Sequence, residues 1–220
     1  MSLRSEYDEQ LKNLDQSVAH MGEMVTGAVA QAIEALEKGD VEKAQKIVKG
    51  DENIDQEERA IEHICLTLLL RQQPVARDLR RVSTALKMVT DLERIGDHAS
   101  DIAEMIPHLA AAQINLEQEL PNMCRKALEM ACLSIDAFVK RDMDLADQVI
   151  EMDDLVDQAF NQVKRALAKD MAGENGVDQD AAIDQLMVAK YAERIGDHAV
   201  NLAQWVKFCE TGIYREERIV

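Results

Sequence analysis

Aromatic side chains are nearly absent from this chain: one Trp, three Tyr and three Phe, 3% of 220 residues. Strands draw on aromatic and β-branched residues, whereas helices draw on Ala, Leu, Glu, Lys, Gln and Met. The second set dominates here. Turn formers are also scarce, with nine Gly and three Pro. Few turns in a long chain leave few, long elements, so all-α is the default reading. The four cysteines, Cys65, Cys124, Cys132 and Cys209, form no CxxC pair, and read as buried, reduced thiols of an intracellular protein. No long hydrophobic run occurs. The most apolar stretch, CLTLLL at 65–70, is far short of the ~20 residues a membrane span needs. The opening MSLRSEYDEQ has no apolar signal core. The expected location is the cytoplasm, with any membrane contact made through partners. Positive charge is in short supply, 25 Lys and Arg against 42 Asp and Glu for a net charge of −17. Such a surface argues against nucleic acid and against direct docking on anionic lipid. It suits cations, a basic protein surface or simple solubility.

Apolar residues recur at helical spacing nearly throughout. Breakers divide the pattern into helices expected at about 4–38, 40–71, 75–106, 115–140, 142–171 and 178–210. Gly39-Asp40 ends the first, and Gln73-Pro74 separates the second from the third, with Pro74 suited to a helix start. Pro107 and Pro121 bracket an expected connecting segment, HLAAAQINLEQEL, and GENG at 173–176 reads as the clearest loop.

The chain then repeats itself. ERIGDHA occurs at 93–99 and again at 193–199. ALEKGDVEKAQKIVKGDENID (35–55) aligns with AFVKRDMDLADQVIEMDDLVD (137–157) at an offset of 102 rather than 100. Arg141-Asp142 thus takes the place of Gly39-Asp40. A period near 100 residues is a duplicated domain, not a short solenoid repeat. The expected architecture is two tandem, similar three-helix bundles, residues 1–107 and 108–220, joined end to end.

Each repeat carries two acidic pairs at spacing i, i+4: Asp51 with Asp55 and Glu93 with Asp97, then Asp153 with Asp157 and Glu193 with Asp197. Residues four apart share one helix face, and paired carboxylates there repel by a few tenths of a kcal/mol. A hard cation reverses that sign, because oxygen ligands are what it requires. In so acidic a chain a single pair is equally a solvated face; recurrence at equivalent places supports the metal reading without excluding shared ancestry. On the third helix Leu92, Ile95, Ala99 and Ile102 define the apolar stripe, which puts Glu93, Asp97 and Asp101 near the opposite, exposed side. Asp51 and Asp55 lie at the flank of the second helix's stripe (Ile47, Ile54, Ile61, Cys65), within reach of a neighbouring helix. Gly96 and Gly196 each cost about 1 kcal/mol relative to Ala, which either close helix packing or room for a ligand would explain. His98 and His198 read first as packing or capping residues, and Arg94 and Arg194 as partners of the carboxylates or of an anion. Nothing points to an enzyme: the chain has no Glu-x-x-His, P-loop, HExxH or GxSxG. A metal-binding or metal-storage bundle and an inert helical scaffold stand as alternatives to a regulatory protein.

ERIGDHA with its acidic pairs, RQQPVARDLR at 71–80 and the KGD/KRD junctions together resemble the PhoU family, along the chain from about Ser5 to Arg215. The resemblance implies two three-helix bundles, each with paired acidic motifs able to hold a metal cluster. The implied ligands are Asp51, Asp55, Glu93 and Asp97 in one bundle and Asp153, Asp157, Glu193 and Asp197 in the other. Asp101 and its counterpart Asn201 are additional candidates, and their difference implies unequal charge and occupancy. Iron, zinc, manganese and magnesium all remain open. The implied role is that of a non-catalytic homodimeric adaptor, linking the ATPase subunit of the phosphate transporter (PstB) to a sensor kinase (PhoR). It would act as a negative regulator of the phosphate-starvation response.

Overall fold

The computed structural model describes residues 3–113, 116–172, 178–215 and 217–218. Six helices account for nearly all of them: α1 (Leu3–Lys38), α2 (Val41–Gln72), α3 (Ala76–Ala111), α4 (Glu119–Lys140), α5 (Met143–Ala172) and α6 (Gln179–Thr211). A two-residue antiparallel ladder, β1 (Ile213–Tyr214) with β2 (Glu217–Arg218), follows. This ladder has no counterpart in the sequence expectation. Tyr214 stacks on Trp205 at 4.0 Å, which anchors it to α6.

The two turns read as equivalent are equivalent in structure. Gly39 has φ +60° and Arg141 φ +54°. Asp40 then accepts from the Lys43 amide at 2.9 Å, and Asp142 from the Leu145 amide at 3.1 Å. These carboxylates satisfy orphan N–H groups at the starts of α2 and α5. At the far end of α6, Gly212 (φ +77°) closes the helix.

Two expectations about proline fail. Pro107 lies inside α3, which runs on to Ala111. Ile106 and Leu109 are buried on either side of it, and their packing outweighs the one lost backbone hydrogen bond. Pro121 falls in the first turn of α4, where a missing N–H costs nothing. The GENG loop lies outside the described residues. The thiols also differ from expectation, since Cys65 and Cys124 are buried but Cys132 is exposed and Cys209 is half-buried.

The bundles do not join end to end. They lie side by side, with α3 and α6 antiparallel at the centre and α1 against α4 beside them. Arg80 near the start of α3 donates to the Cys209 carbonyl near the end of α6 (3.2 Å), and His108 near the end of α3 meets Asp184 near the start of α6 (2.5 Å). The buried Gly96 and Gly196 face away from this α3–α6 seam, Gly96 toward Ile54 and Asp51 of α2 and Gly196 toward Val156 of α5 and Met130 of α4. Among the described residues no helix is long and apolar enough to cross a membrane.

Candidate metal centre

Helices α2 and α3 present their carboxylates to one another. Ile54 and Ile61 on α2 are buried, as are Leu92 and Ile95 on α3. Packing these apolar faces brings the flanking Asp51 and Asp55 beside Asp97. Carboxylate oxygens of Asp51, Asp55 and Asp97 all lie within 4.8 Å of one another. Gly96 makes the approach close, because a Cβ there would stand 3.0 and 3.1 Å from methyl carbons of Ile54 and 3.7 Å from Asp51 Oδ1. That glycine serves packing and leaves room beside the carboxylates at once.

The exposed placement expected for the α3 carboxylates is not what the fold gives. The side chain of Glu93 is only 16% exposed and that of Asp97 30%. The stripe reasoning treated α3 as a surface helix with one buried face. In the fold α3 is central, packed by α1, α2 and α6, so the face opposite its main stripe lies under α2.

The electrostatics follow from this crowding. Burial, then the charges of Asp97 and Asp55, push Asp51 from its ordinary 3.8 up to about 6. Burial and Asp97 likewise raise Glu93 from 4.5 to about 7, against the pull of Arg94. Glu58 is raised as well, by burial and then by Glu62 and Asp55. Arg94 sits on the outer edge, 2.9 Å from Asp97 and 3.4 Å from Glu93, and Arg59 lies 3.2 Å from Asp55. Two exposed arginines offset part of a five-carboxylate cluster, while Asp51, which has no ion pair among the described residues, faces the charges of Asp97, Asp55, Asp101 and Glu104. An all-oxygen cluster with raised carboxyl pKa values has the donor chemistry of a hard di- or trivalent cation. The residues present fit such an ion.

The equivalent place in the second repeat is built differently. Asp153 is raised by burial and then by Asp157 and Asp197, and Asp197 by burial and then by Glu193. Here, however, a lysine already lies beside the carboxylates: the partly exposed Lys190 pairs with Glu193 and lies 5.4 Å from the centre of the Phe160 ring. By the repeat offsets, Lys190 stands where the first repeat has Thr90, and Phe160 where it has Glu58. One carboxylate has been lost and one ammonium gained. Among the described residues, a three-carboxylate cluster of the tight kind forms only in the first repeat. Sequence reasoning overlooked Glu58 and Lys190. The signal for Glu58 was present, since 51, 55 and 58 share one helix face. Lys190 is three residues before Glu193 and reads in isolation as an ordinary surface pair.

Asp101 and Asn201 lie on the α3–α6 side. Asp101 Oδ2 is 3.1 Å from His98 Nδ1, though its charge still contributes to raising Asp51. Asn201 donates to Asp91 Oδ1 at 3.1 Å and accepts from Arg215 at 2.7 Å. The two histidines meet across the seam, 5.7 Å between ring centres. His198 Nδ1 lies 2.8 Å from Asp91, while His98 stacks on Tyr191 at 5.6 Å. They act as packing residues between the repeats, and burial lowers the pKa of His98.

Residues 18–106 and 120–206 each match the PhoU domain. The chain belongs to the PhoU family. It is 38% identical over 217 residues to a protein of Clostridium acetobutylicum named phosphate-specific transport system accessory protein PhoU homolog, covering 96% of this chain and 94% of that one. It is 29% identical to the Escherichia coli accessory protein PhoU, covering 96% and 87%. Its fold matches the crystal structure of PhoU from Pseudomonas aeruginosa with a TM-score of 0.90 at 32% identity, over 94% of this chain and all of that one. A PhoU described as a phosphate transport system regulatory protein from Streptococcus pneumoniae gives 0.88 at 27% identity, over 94% of this chain and 98% of that one.

Proposed function

We propose that this chain is a cytoplasmic accessory and regulatory protein of phosphate uptake. It acts without chemistry of its own, by binding. The observation that carries this reading is the full-length likeness to phosphate transport accessory proteins in both sequence and fold. In the proposed role the homodimeric protein links the transporter's ATPase subunit PstB to the sensor kinase PhoR and holds the starvation response off while phosphate is plentiful. Long rigid helices with charged faces suit an adaptor, whose signal is a difference in affinity between two partner states.

The first repeat would hold a hard cation through Asp51, Asp55 and Asp97, with Glu93 and Glu58 adjacent. The cation would neutralise charge that the fold has compressed and tie α2 to α3, fixing the face the helices present. The second repeat, with Lys190 in place, would bind metal more weakly. The bulk metal-storage alternative finds less support in this asymmetry.

The test is alkaline phosphatase activity in cells lacking this gene and grown in excess phosphate. High activity that re-expression suppresses supports a negative regulator. Activity that stays low in the deletion strain removes that role and leaves at most a function in limiting transport.

A further inference from the structure

The two repeats differ most at one end. Helix α1 has 36 residues and α4 only 22. At the offset of 102 their C-termini coincide, Lys38 with Lys140, and so do their buried positions: Val18 with Leu120, Met21 with Met123, Val25 with Ala127. The difference therefore lies at the N-terminus, where Leu3–Gln16 has no helical counterpart among the described residues of the second repeat. In the first repeat that extension buries Tyr7, Leu11 and Leu14. Arg81 fixes it in place, donating to Asp15 at 2.9 and 2.5 Å and to the Leu11 carbonyl at 3.2 Å. In the second repeat the counterpart of Arg81 is Ala181.

The missing extension leaves a groove of about 240 Å³ between the start of α4, the end of α5 and the start of α6. Its floor is Leu120, Val163, Ala166, Leu167, Ala182 and Gln185. The first-repeat counterparts of the α5 and α6 positions are Ile61, Ile64, Cys65, Val82 and Ala85. All but Ile64 are buried. In the second repeat Leu120, Val163, Ala182 and Gln185 are buried as well, and the groove opens over Ala166 and Leu167, which are half-buried. Its rim is acidic throughout, with Glu117, Glu119, Asp170 and Asp178. Asp170 stands where the first repeat buries Leu68.

We propose that this groove is the docking site for an amphipathic helix of a partner protein, apolar at i, i+4 and i+7 and basic on its flanks. The apolar spacing is the one the fold itself uses at the equivalent place, Tyr7, Leu11 and Leu14. The basic flanks are set by four carboxylates with no basic residue among the groove's lining. Helix-in-groove recognition of this kind draws affinity from the apolar anchors and orientation from the rim charges. The site is independent of the metal centre.

The probe is a peptide copying residues 4–20 with Glu6→Lys, Asp8→Lys, Glu9→Lys and Asp15→Lys. It is compared by fluorescence anisotropy on the full chain with its unchanged parent and with a scrambled peptide of the same basic composition. The basic peptide should bind at least about tenfold tighter than either. Ala166→Trp, which fills the groove floor, should weaken binding by about tenfold or more, and Asp170→Lys should remove most of the preference for the basic peptide. Asp170 is exposed at the C-terminal end of α5, where a cation favours the helix, so this variant stays informative if Ala166→Trp fails to fold. Equal binding by the scrambled peptide, or binding indifferent to both variants, would overturn the proposal in favour of diffuse attraction to an acidic surface. A concentration-dependent dimer in sedimentation that Asp170→Lys or Ala166→Trp abolishes would overturn it in favour of a second copy of this chain.

Discussion

Asp51→Asn should stabilise the metal-free protein above neutral pH and do nothing in acid. Asp51 ionises near 3.8 when unconstrained and near 6 in the fold. Between those values the folded chain holds a proton that the unfolded chain has released. Stability therefore falls as pH rises through this window, and the full cost is present above about pH 7. A shift of about two units corresponds to roughly 3 kcal/mol at about 1.4 kcal/mol per unit. Asp51 is half-buried, and water and salt screen a group with that much exposure, which reduces the expected cost to roughly 1 kcal/mol. Asn has nearly the same shape and carries N–H donors that face Asp55 and Asp97 instead of opposing them. Thermal denaturation of chelator-treated protein at pH 8 should show Asp51→Asn melting roughly 2–4 °C higher than the parent, with the two coinciding at pH 4. Adding manganese at a hundredfold excess over its dissociation constant should raise the parent by about 2.7 kcal/mol and leave the variant nearly unmoved. A variant less stable than the parent at pH 8 without metal would refute the reasoning, because the carboxylate would then be held by partners rather than opposed by neighbours.

Other outcomes follow from the differences between the repeats. Gly96→Ala should cost about 1–3 kcal/mol in chemical denaturation, because its Cβ meets Ile54 at 3.0 Å. Gly196→Ala meets only Val156 at 3.5 Å and Met130 at 3.7 Å, so it should stabilise by up to about 1 kcal/mol through helix propensity; equal effects would show that the two repeats pack alike at these glycines. Arg81→Met should cost about 2 kcal/mol by losing the fork to Asp15 and Leu11, and hydrogen exchange should rise first in the opening turns of α1.

The duplication, the helix count and the reach of Asp51 and Asp55 toward a neighbouring helix were legible because each rests on local periodicity or on identity between two stretches of chain. Glycine at 39 and aspartate at 40 and 142 mark turns by their own chemistry. What was not legible depends on which helix is central. Glu93 and Asp97 are less exposed than a single apolar stripe predicts, because α3 is packed by α1, α2 and α6. Pro107 was read as a terminator, a local signal that the burial of Ile106 and Leu109 overrides. The side-by-side arrangement has no local signal, although two identical heptapeptides are what an antiparallel pseudo-symmetric contact produces. His98 meets His198, Asp91 meets His198, and Tyr191 meets His98.

Lys190 gives the sharpest test of whether the two repeats have diverged in metal binding. Its ammonium pairs with Glu193 and its charge also opposes the raised pKa of Asp197, so it performs within the protein what a cation would perform from outside. Any metal entering the second repeat must displace it or share carboxylates with it. Lys190→Thr restores the residue found at position 90 and leaves Glu193 and Asp197 without that counter-ion. Calorimetric titration with manganese should then show a second site tightened by about tenfold, about 1.4 kcal/mol, while the first site is unchanged. The same variant without metal should be less stable at pH 8 than at pH 5, since the carboxylates lose their partner where they are fully ionised. If affinity at the second site stays the same, the loss of the Glu58 equivalent at Phe160, rather than the presence of Lys190, is what separates the repeats, and Phe160→Glu becomes the substitution that should close the gap.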